Sequence, residues 1–462
     1  MSNSEFDFDD IRPYRDDEVR GVLDRLSVDT EFLDILAGLK LPRLKRSGLG
    51  RRLARWLVGL RVRRVFTRIN TVRDFQQLIS AHLHAHMQVA STGISVRGLT
   101  ALQSDQAYLF ISNHRDIAMD PAMVNLVLDD HDFKTTRIAI GDNLLSKPFA
   151  SDLMRINKSF IVKRSSAGRR EKLAALKQLS AYIRHSVVEE NCSIWIAQSE
   201  GRAKDGIDKT ETAMLKMLAL SKTKGQNFAQ ALVELRIVPV SISYEFDPCD
   251  KDKTRELHAL RSEGSYQKDQ YEDLKSIYAG IMGDKGRIVV AFGEPVSGKS
   301  LVGEPLSDEA VSGELVKQNF DTADQLAEII DREIISHYQL QAPHLIAYQM
   351  LHGTNDQLEQ LKADLNSDVN ESEWAEKEQF FKQRLQTIPP AEQDIFLAMY
   401  ANPVVQALQL SEMKIVTETA SSLTSSSTSQ AASPPISRTT SPATPQVADT
   451  DELKVQRELT LK

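Results

Sequence analysis

Residues 107–121, AYLFISNHRDIAMDP, hold the pattern from which the fold and the chemistry of this chain can be worked out. An apolar run ends at Ser112, and His114, Asp116 and Asp120 follow it closely. The run predicts a short buried strand, and reactive groups often lie just after such strands. A neutral imidazole can take a proton from an alcohol, and a carboxylate bonded to its other nitrogen fixes the tautomer. Taken alone, however, a His near an Asp more often makes an ordinary turn or capping hydrogen bond.

Similar apolar runs, rich in β-branched residues, alternate with helical patterns between about residues 90 and 300, which is typical of α/β domains. We predict six strands: AYLFIS ending at Ser112, TRIAIG ending at Gly141, SFIVKR from Ser159, CSIWIA from Cys192, LRIVPVSIS from Leu235 and GRIVVAFG from Gly286. Because helical stretches fall between them, the strands should be buried and mostly parallel. The predicted fold is therefore α/β, with a mostly parallel twisted sheet flanked by helices.

The composition divides the 462 residues into four parts. A chain of this length exceeds one ordinary core, so we expect one large domain with helical additions, or two domains. The last residues are rich in Ser, Thr and Pro and too poor in apolar side chains to bury a core, which predicts disorder. The predicted organisation is a helical N-terminal region at 1–89, the α/β domain at 90–303, a helical C-terminal region at 304–416 and a disordered tail at 417–462.

Cysteine usage, charge and hydropathy indicate a cytoplasmic protein. Cys192 and Cys249 are the only cysteines, and their spacing suggests neither a zinc site nor a redox pair. The acidic start lacks the features of a secretory signal, and no apolar stretch reaches the roughly 18–20 residues needed to span a bilayer. A formal net charge of −7 argues against a dedicated nucleic-acid binder. If the protein acts on lipids, we expect it at the inner face of the cytoplasmic membrane.

Residues 40–73 reverse the acidic balance, because they carry many Lys and Arg and no Asp or Glu. Helical projection places one apolar stripe at Leu49, Leu53, Trp56, Leu57 and Leu60. Further along, the stripe moves to Val58, Val62, Val65 and Ile69. A basic amphipathic helix predicts contact with a membrane surface, although a helix on a bilayer should keep one apolar side throughout. A solvated or intramolecular basic face is the alternative.

A second block, NKSFIVKRSSAGRR at 157–170, delivers Lys163 and Arg164 at the end of a predicted strand. Guanidinium groups form paired hydrogen bonds to phosphate oxygens, so this block is a candidate anion site. A solvated basic loop that leads into a helix is the simpler explanation when the block is considered alone.

Two more predicted strands end in polar or unusual residues. The third block, IWIAQSEGRAKDG at 194–206, presents Glu200, Gly201, Arg202 and Lys204. Here the glycine permits close backbone approach and the arginine can hold an anion. In the fourth block, RIVPVSISYE at 236–245, Pro239 interrupts a strand, which predicts an edge strand or a bulge.

In this order, the four blocks resemble the four motifs of the glycerophospholipid acyltransferase superfamily. The local likeness is greatest to bacterial glycerol-3-phosphate acyltransferases, through NHRD at 113–116, FIVKR at 160–164 and PVSISYE at 239–245. The resemblance covers about residues 90–300. It implies transfer of a fatty acyl group from acyl-CoA or acyl carrier protein to a hydroxyl of glycerol-3-phosphate or lysophosphatidate, with no metal or redox cofactor.

The resemblance also implies roles for individual residues. His114 is similar to the catalytic histidine, and Arg164, beside Lys163, is similar to the arginine that binds the acceptor's phosphate. Glu200, Gly201 and Arg202 resemble the third motif, which helps seat the acceptor, and Pro239 resembles the proline associated with the acyl pocket.

Two departures from the family pattern affect these roles. The family has four residues between the histidine and its aspartate, whereas five separate His114 from Asp120, so Asp116 is the alternative partner. Arg202 follows its glycine directly, without the usual intervening residue, so Lys204 is a candidate for sharing the anion.

Two other interpretations remain open from the sequence. The chain could acylate a different lipid-like alcohol with the same residues, or it could be a non-catalytic lipid-binding protein with an acyltransferase fold. Membrane binding without thioester consumption would favour the second.

Overall fold

The computed structural model divides the chain into two compact units, Met1–Ser411 and Glu412–Lys462. The described residues are 6–41, 43–44, 47–145, 147–165, 168–269, 271–296, 320–366 and 371–427. The second unit is described only as the continuation of the last helix. All strands in the described part of the chain belong to the first unit.

Seven strands form one sheet: β1 (Gly93–Arg97), β2 (Leu109–Ser112), β3 (Arg137–Gly141), β4 (Ser159–Val162), β5 (Ile194–Ala197), β6 (Ile237–Tyr244) and β7 (Arg287–Phe292). Their order across the sheet is β1-β7-β6-β2-β5-β3-β4. All neighbours pair in parallel except β6 and β7, which are antiparallel. The prediction of an α/β fold with a mostly parallel sheet is confirmed.

The six strands predicted from apolar runs are present, whereas β1 was not predicted. Strand β1 reads GISVR, lies at an edge of the sheet, and is exposed at both ends and half-buried between them. A short edge strand with polar residues lacks the continuous apolar run that marks buried strands. In β2 and β6, by contrast, every residue is buried.

Of the two alternatives predicted for Pro239, an edge strand or a bulge, the first is wrong, because β6 is an interior strand between β7 and β2. The proline carbonyl accepts a hydrogen bond from the Gly293 N–H at 2.8 Å, so this residue's backbone polar groups face β7. Antiparallel pairing with β7 begins only at Val240, which pairs with Phe292. The missing N–H of Pro239 therefore falls just beyond the ladder and removes no bond from it.

Sixteen α-helices occur within the described residues. They are α1 (Asp16–Val28), α2 (Thr30–Lys40), α3 (Gly48–Phe66), α4 (Val72–Ala90), α5 (Met119–Asp130), α6 (Pro148–Ile156), α7 (Arg169–Arg184), α8 (Thr212–Leu218), α9 (Phe228–Val233), α10 (Asp250–Glu263), α11 (Glu272–Met282), α12 (Ala323–His337), α13 (Ala342–His352), α14 (Asp356–Asn366), α15 (Glu371–Gln386) and α16 (Gln393–Ser427). None of the described helices is long and apolar enough to cross a membrane.

Helices cover both faces of the sheet, as the alternation along β2 shows. Leu109 and Ile111 point into a core that α7, α8 and α12 complete. Phe110, between them, points into a second core with α4 and α5. Because successive residues of a strand face opposite sides, a strand buried on both faces must be apolar throughout, and LFIS is nearly so. Packing on both faces of the sheet thereby fixes the position of β2.

The N-terminal helices form a separate apolar cluster, and this explains the two stripes of the basic segment. Val58 and Ile69 are buried with α1, α2 and α6, while Val62 and Val65 pack partly against them. The other stripe, which includes Trp56, is exposed. One helix, α3, thus carries two apolar faces, of which only one packs inside the protein.

The C-terminal region is helical in its described part, with α13, α15 and α16 around a core that includes Phe381, Phe396 and Tyr400. Helix α16 continues past Thr417 to Ser427, into the first residues of the predicted tail. Extending an existing helix adds one hydrogen bond for each residue that is fixed, so a polar segment can follow a formed helix. The rest of the predicted tail, 428–462, and the predicted domain boundary at 303 lie outside the described residues.

Candidate active site

The carboxyl ends of three parallel strands bring the predicted site residues to one edge of the sheet. His114 follows β2, Arg164 follows β4 and Glu200 follows β5. Strands β2 and β5 are neighbours, and β4 lies beyond β3 on the same side. Ligand sites of open α/β sheets form outside the carboxyl ends of the strands. The arrangement therefore fits a site built across this edge.

His114 and Asp120 form a hydrogen-bonded pair at the end of β2. Nδ1 of His114 lies 2.8 Å from Oδ2 of Asp120, whose side chain is fully buried. The same oxygen accepts the backbone N–H groups of Arg115 and Asp116 at 2.6 and 2.9 Å. The hydroxyl of Tyr244 donates to the other oxygen, Oδ1, at 2.9 Å. Four donors thus surround the carboxylate and hold it in place.

This pairing decides which imidazole nitrogen can react. An ionised carboxylate only accepts hydrogen bonds, so in the neutral imidazole paired with it Nδ1 of His114 carries the proton and Nε2 carries the lone pair. Burial, together with the nearby Asp120, raises the pKa of Tyr244 well above its usual value, so its hydroxyl remains a donor. The indole of Trp195 lies edge-on to the imidazole, with ring centroids 5.9 Å apart. The ring is therefore held in one orientation, ready to accept a proton at Nε2.

Asp116, the alternative partner, does not contact the imidazole and instead closes the turn that precedes α5. Its Oδ1 accepts the N–H groups of Ala118 and Met119 at 2.9 and 2.8 Å. This turn absorbs the extra residue between His114 and Asp120. Oδ2 of Asp116 is buried and has no hydrogen-bond partner within the described part of the chain. Burial, and then the charge of Asp120, raise the pKa of Asp116.

The segment that carries His114 is anchored to β6 and to the loop after β5. Asn113 exchanges two hydrogen bonds with the backbone of Ile242, at 2.8 and 3.0 Å, and so continues the strand pairing with a side chain. Arg115 is buried and pairs with Asp208 at 2.6 Å. The His114 carbonyl accepts the N–H of Ala203 at 2.8 Å. The first and third sequence blocks are therefore locked together.

Arg164 lies at a more open part of the site. Its Nη1 is 3.3 Å from Glu200 Oε1, and the two side chains are 41% and 66% exposed. Gly141, at the end of β3, leaves room for the guanidinium, because a Cβ there would be 2.9 Å from Arg164 Nε. Asp142 Oδ2 accepts the Ser165 hydroxyl at 2.6 Å. Burial would raise the pKa of Asp142, but hydrogen bonds from Ser165 and the Arg164 backbone lower it below its usual value.

The remaining predicted residues of the second and third blocks lie in different surroundings. Lys163 pairs with Asp10 of the N-terminal segment, whereas its neighbour Arg164 pairs with Glu200. It is therefore not brought together with His114. Lys204 pairs with Glu256 and lines a small cavity that also includes Arg115.

Arg202 points toward α11, where its Nη2 is 3.5 Å from the Ser276 hydroxyl. Its Nη1 is buried without a hydrogen-bond partner among the described residues. A buried guanidinium nitrogen whose N–H groups have no acceptor can donate hydrogen bonds to an anion. Gly201, with φ of +86°, makes the left-handed turn that precedes it.

A family model covers the residues of this site, and one solved structure is similar to the chain. A family model described as Acyltransferase matches residues 93–243, a range that includes the His114–Asp120 pair, Arg164 and Arg202. Residues 93–243 are an acyltransferase domain. The predicted family resemblance is thus confirmed for this part of the chain. The crystal structure of the 1-acyl-sn-glycerophosphate (LPA) acyltransferase PlsC from Thermotoga maritima is also similar, with 13% identity, 68% of this chain and 91% of that chain covered, and a TM-score of 0.31. No curated protein sequence matches the chain.

Several residues that support the acyltransferase domain's His114 were not predicted as site residues, and some lie outside the domain. Tyr244 lies one residue past the matched range, within a stretch in which only the proline was assigned a role from the sequence. Lys253, on α10, is buried and donates to the Arg115 carbonyl at 2.7 Å while pairing with Asp247. A buried lysine on a polar helix gives no sequence signal, because only the fold reveals its burial. Within the described ranges, no cluster of three or more His, Cys, Asp or Glu side chains could hold a metal ion.

Proposed function

We propose that this acyltransferase moves a fatty acyl group from a thioester, acyl-CoA or acyl carrier protein, to a hydroxyl of glycerol-3-phosphate or lysophosphatidate. The observation that carries the proposal is the His114–Asp120 pair, which leaves Nε2 free at the same sheet edge as Arg164 and Arg202. The imidazole is suited to taking a proton from a hydroxyl, and the two guanidinium groups are suited to binding a phosphate.

In the proposed reaction, Nε2 of His114 takes the proton from the acceptor hydroxyl as its oxygen attacks the thioester carbonyl carbon. The new C–O bond forms, the C–S bond breaks, and the thiolate leaves. The imidazolium then gives its proton to the sulfur. Asp120 stabilises the imidazolium in between, because its carboxylate is already fixed by three other donors.

Phosphate recognition would be the task of the arginines. Arg164 is held by Glu200 through an exposed ion pair of a kind that contributes little, about 0–1 kcal/mol, so a phosphate dianion can displace the carboxylate. The buried Nη1 of Arg202 offers a second donor. Holding the acceptor by its phosphate would convert the attack into an oriented, effectively intramolecular step.

The test is product analysis with long-chain acyl-CoA and with acyl carrier protein, offering glycerol-3-phosphate, lysophosphatidate and unphosphorylated glycerol. Arg164→Gln should raise KM for the phosphorylated acceptor by about tenfold or more, the equivalent of losing a charge-assisted hydrogen bond. Lys163→Gln is the matched control, because this neighbouring cation pairs with Asp10 instead. It should leave that KM unchanged.

Equal KM values for Arg164→Gln and the unsubstituted protein would contradict the phosphate-binding role. Failure of every acceptor with both donors would point to another lipid-like alcohol, or to a binding protein with an acyltransferase fold.

A further inference from the structure

Helix α3 exposes five large apolar side chains in one stripe: Leu49, Leu53, Trp56, Leu57 and Leu60. Leu49 is 86% exposed and Trp56 is 60% exposed. The helix is nevertheless firmly attached by its other side, where Arg55 makes two hydrogen bonds to Asp34 of α2 at 2.7 and 2.6 Å. The stripe is thus presented by a fixed helix, and burying it would be favourable.

The flanks of this stripe are strongly basic. Six exposed arginines of α3 and the turn after it have no carboxylate partner among the described residues: Arg51, Arg52, Arg61, Arg63, Arg64 and Arg68. Arginines beside exposed leucines and a tryptophan are the composition of a helix that lies in a lipid headgroup layer. An anionic surface would complement this charge.

One lysine connects α2 with the start of α11. Ile35 and Leu39 are exposed one and two turns after Glu31 on α2. Glu31 pairs at 3.0 Å with Lys147, whose ammonium lies 5.9 Å from the centre of the Tyr271 ring. Tyr271 immediately precedes α11. Lys147 therefore links α2 to the residue that precedes α11.

Helix α11 has an exposed apolar stripe of its own and a buried face that touches the site. Tyr271, Leu274, Tyr278 and Met282 are exposed at helical spacing. On the opposite face, Ser276 lies beside Arg202, and Gly280 packs so closely on Asp116 that a Cβ there would overlap the carboxylate. This helix thus joins the exposed surface to the turn that carries His114.

We propose that α2, α3 and α11 form one lipid-facing surface that rests on an anionic bilayer and brings the candidate active site to it. The idea rests on the proposed function in so far as acceptors or products with acyl chains reside in a bilayer. Binding itself, however, can be measured without turnover. A bilayer is favoured over a protein partner because the stripes of α3 and α11 combine apolar side chains with unpaired arginines along α3.

The experiment is co-sedimentation of the full chain with vesicles of phosphatidylcholine and phosphatidylglycerol, compared with vesicles of phosphatidylcholine alone. The double substitution Leu274→Asp/Tyr278→Asp should weaken binding to the anionic vesicles by about tenfold or more, since each side chain loses its apolar contact. The matched control is Leu173→Asp/Leu220→Asp, which changes similarly exposed side chains on the α7 side of the sheet. It should bind as the unsubstituted protein does.

A second variant, Arg61→Gln/Arg64→Gln, separates the charge from the apolar contact. It should weaken binding to the anionic vesicles and reduce its dependence on salt, with no effect on phosphatidylcholine vesicles. Normal binding by the α11 variant would overturn the proposal, as would a protein that binds neither vesicle. The proposal would also be overturned if the unsubstituted protein sediments as a dimer and the α11 variant sediments as a monomer. Acylation of water-soluble glycerol-3-phosphate without vesicles would leave the proposed function intact in each case.

Discussion

The two halves of the candidate site are built in opposite ways. Asp120 is fully buried, accepts from four donors and orients His114, whereas Arg164 is held by one long, exposed ion pair to Glu200. Groups that must act at one geometry gain from being fixed in advance, because no reorganisation is then needed during the reaction. A group that must exchange one anion for another gains from a weak partner. The comparison teaches that the proton-transfer half is preset while the acceptor half stays open.

The largest effect should come from breaking the preset half at its centre. Asp120→Asn should lower kcat by about 10²- to 10⁴-fold, since an amide can favour the wrong imidazole tautomer and cannot stabilise the imidazolium. Asp116→Asn is the matched control, because that carboxylate caps a turn and does not touch the ring. It should keep kcat within a few-fold of the unsubstituted value. The reverse order of effects in steady-state assays would assign the partner to Asp116.

Removing one donor from the same carboxylate should give an intermediate effect. Tyr244→Phe leaves Asp120 Oδ1 buried without its hydroxyl donor, which should lower the free energy of unfolding by about 1–3 kcal/mol. Chemical denaturation measures this loss. Tyr278→Phe removes a hydroxyl from an exposed tyrosine and should change the stability by far less. Equal stabilities for the two variants would show that the Tyr244 hydroxyl does not support the pair.

The open half should respond in KM rather than in kcat. Asp142→Asn weakens the hydrogen bonds that hold the loop of Arg164, so KM for the phosphorylated acceptor should rise about three- to tenfold, the equivalent of about 1 kcal/mol. The KM for the thioester and the melting temperature should change little. Asp105→Asn, in an exposed turn, is the control. A parallel fall in kcat and stability would mean that Asp142 has a general structural role.

The smallest effect is a pH dependence of stability from Asp116. Its pKa is raised in the folded protein, mainly by burial, so the folded state holds the proton more tightly than the unfolded chain, whose value is about 3.9. Stability is therefore lost as the pH rises from about 4 through the raised pKa. Asp116→Asn should remove this loss. The stability of the variant, relative to that of the unsubstituted protein, should therefore be greater at about pH 7 than at about pH 4. Thermal unfolding at both pH values checks the sign, and a constant difference would contradict it.

An element of the fold could be predicted where its signal lies in the local sequence, and not where it depends on neighbouring strands. Interior strands such as LFIS (β2) and IWIA (β5) are mostly apolar because both of their faces are covered, and this local signal was sufficient. Strand β1 has no such run, and Pro239 was misplaced because its allowed position depends on where the neighbouring strand ends. Whether a proline can occupy an interior strand can be judged only when the register of that strand with its neighbours is known.

The candidate site was predictable to the extent that its residues follow strands. His114, Arg164 and Glu200 could be placed together because parallel strands end at one edge. Lys253 and Asp142 could not, because each acts on a backbone group that only the folded chain brings near. The choice between two carboxylates also required the turn itself, where Asp116 is used for capping.

The most direct test of the account is thiol release from long-chain acyl-CoA in the presence of glycerol-3-phosphate, comparing the unsubstituted protein with His114→Ala and with His82→Ala. His82 is exposed and its Nδ1 bonds to the Leu78 carbonyl of its own helix, so its loss should leave turnover intact. The account predicts that His114→Ala lowers turnover by about 10²- to 10⁴-fold while the melting temperature is preserved. Turnover by His114→Ala close to that of the unsubstituted protein would contradict the central claim that this imidazole takes the acceptor's proton.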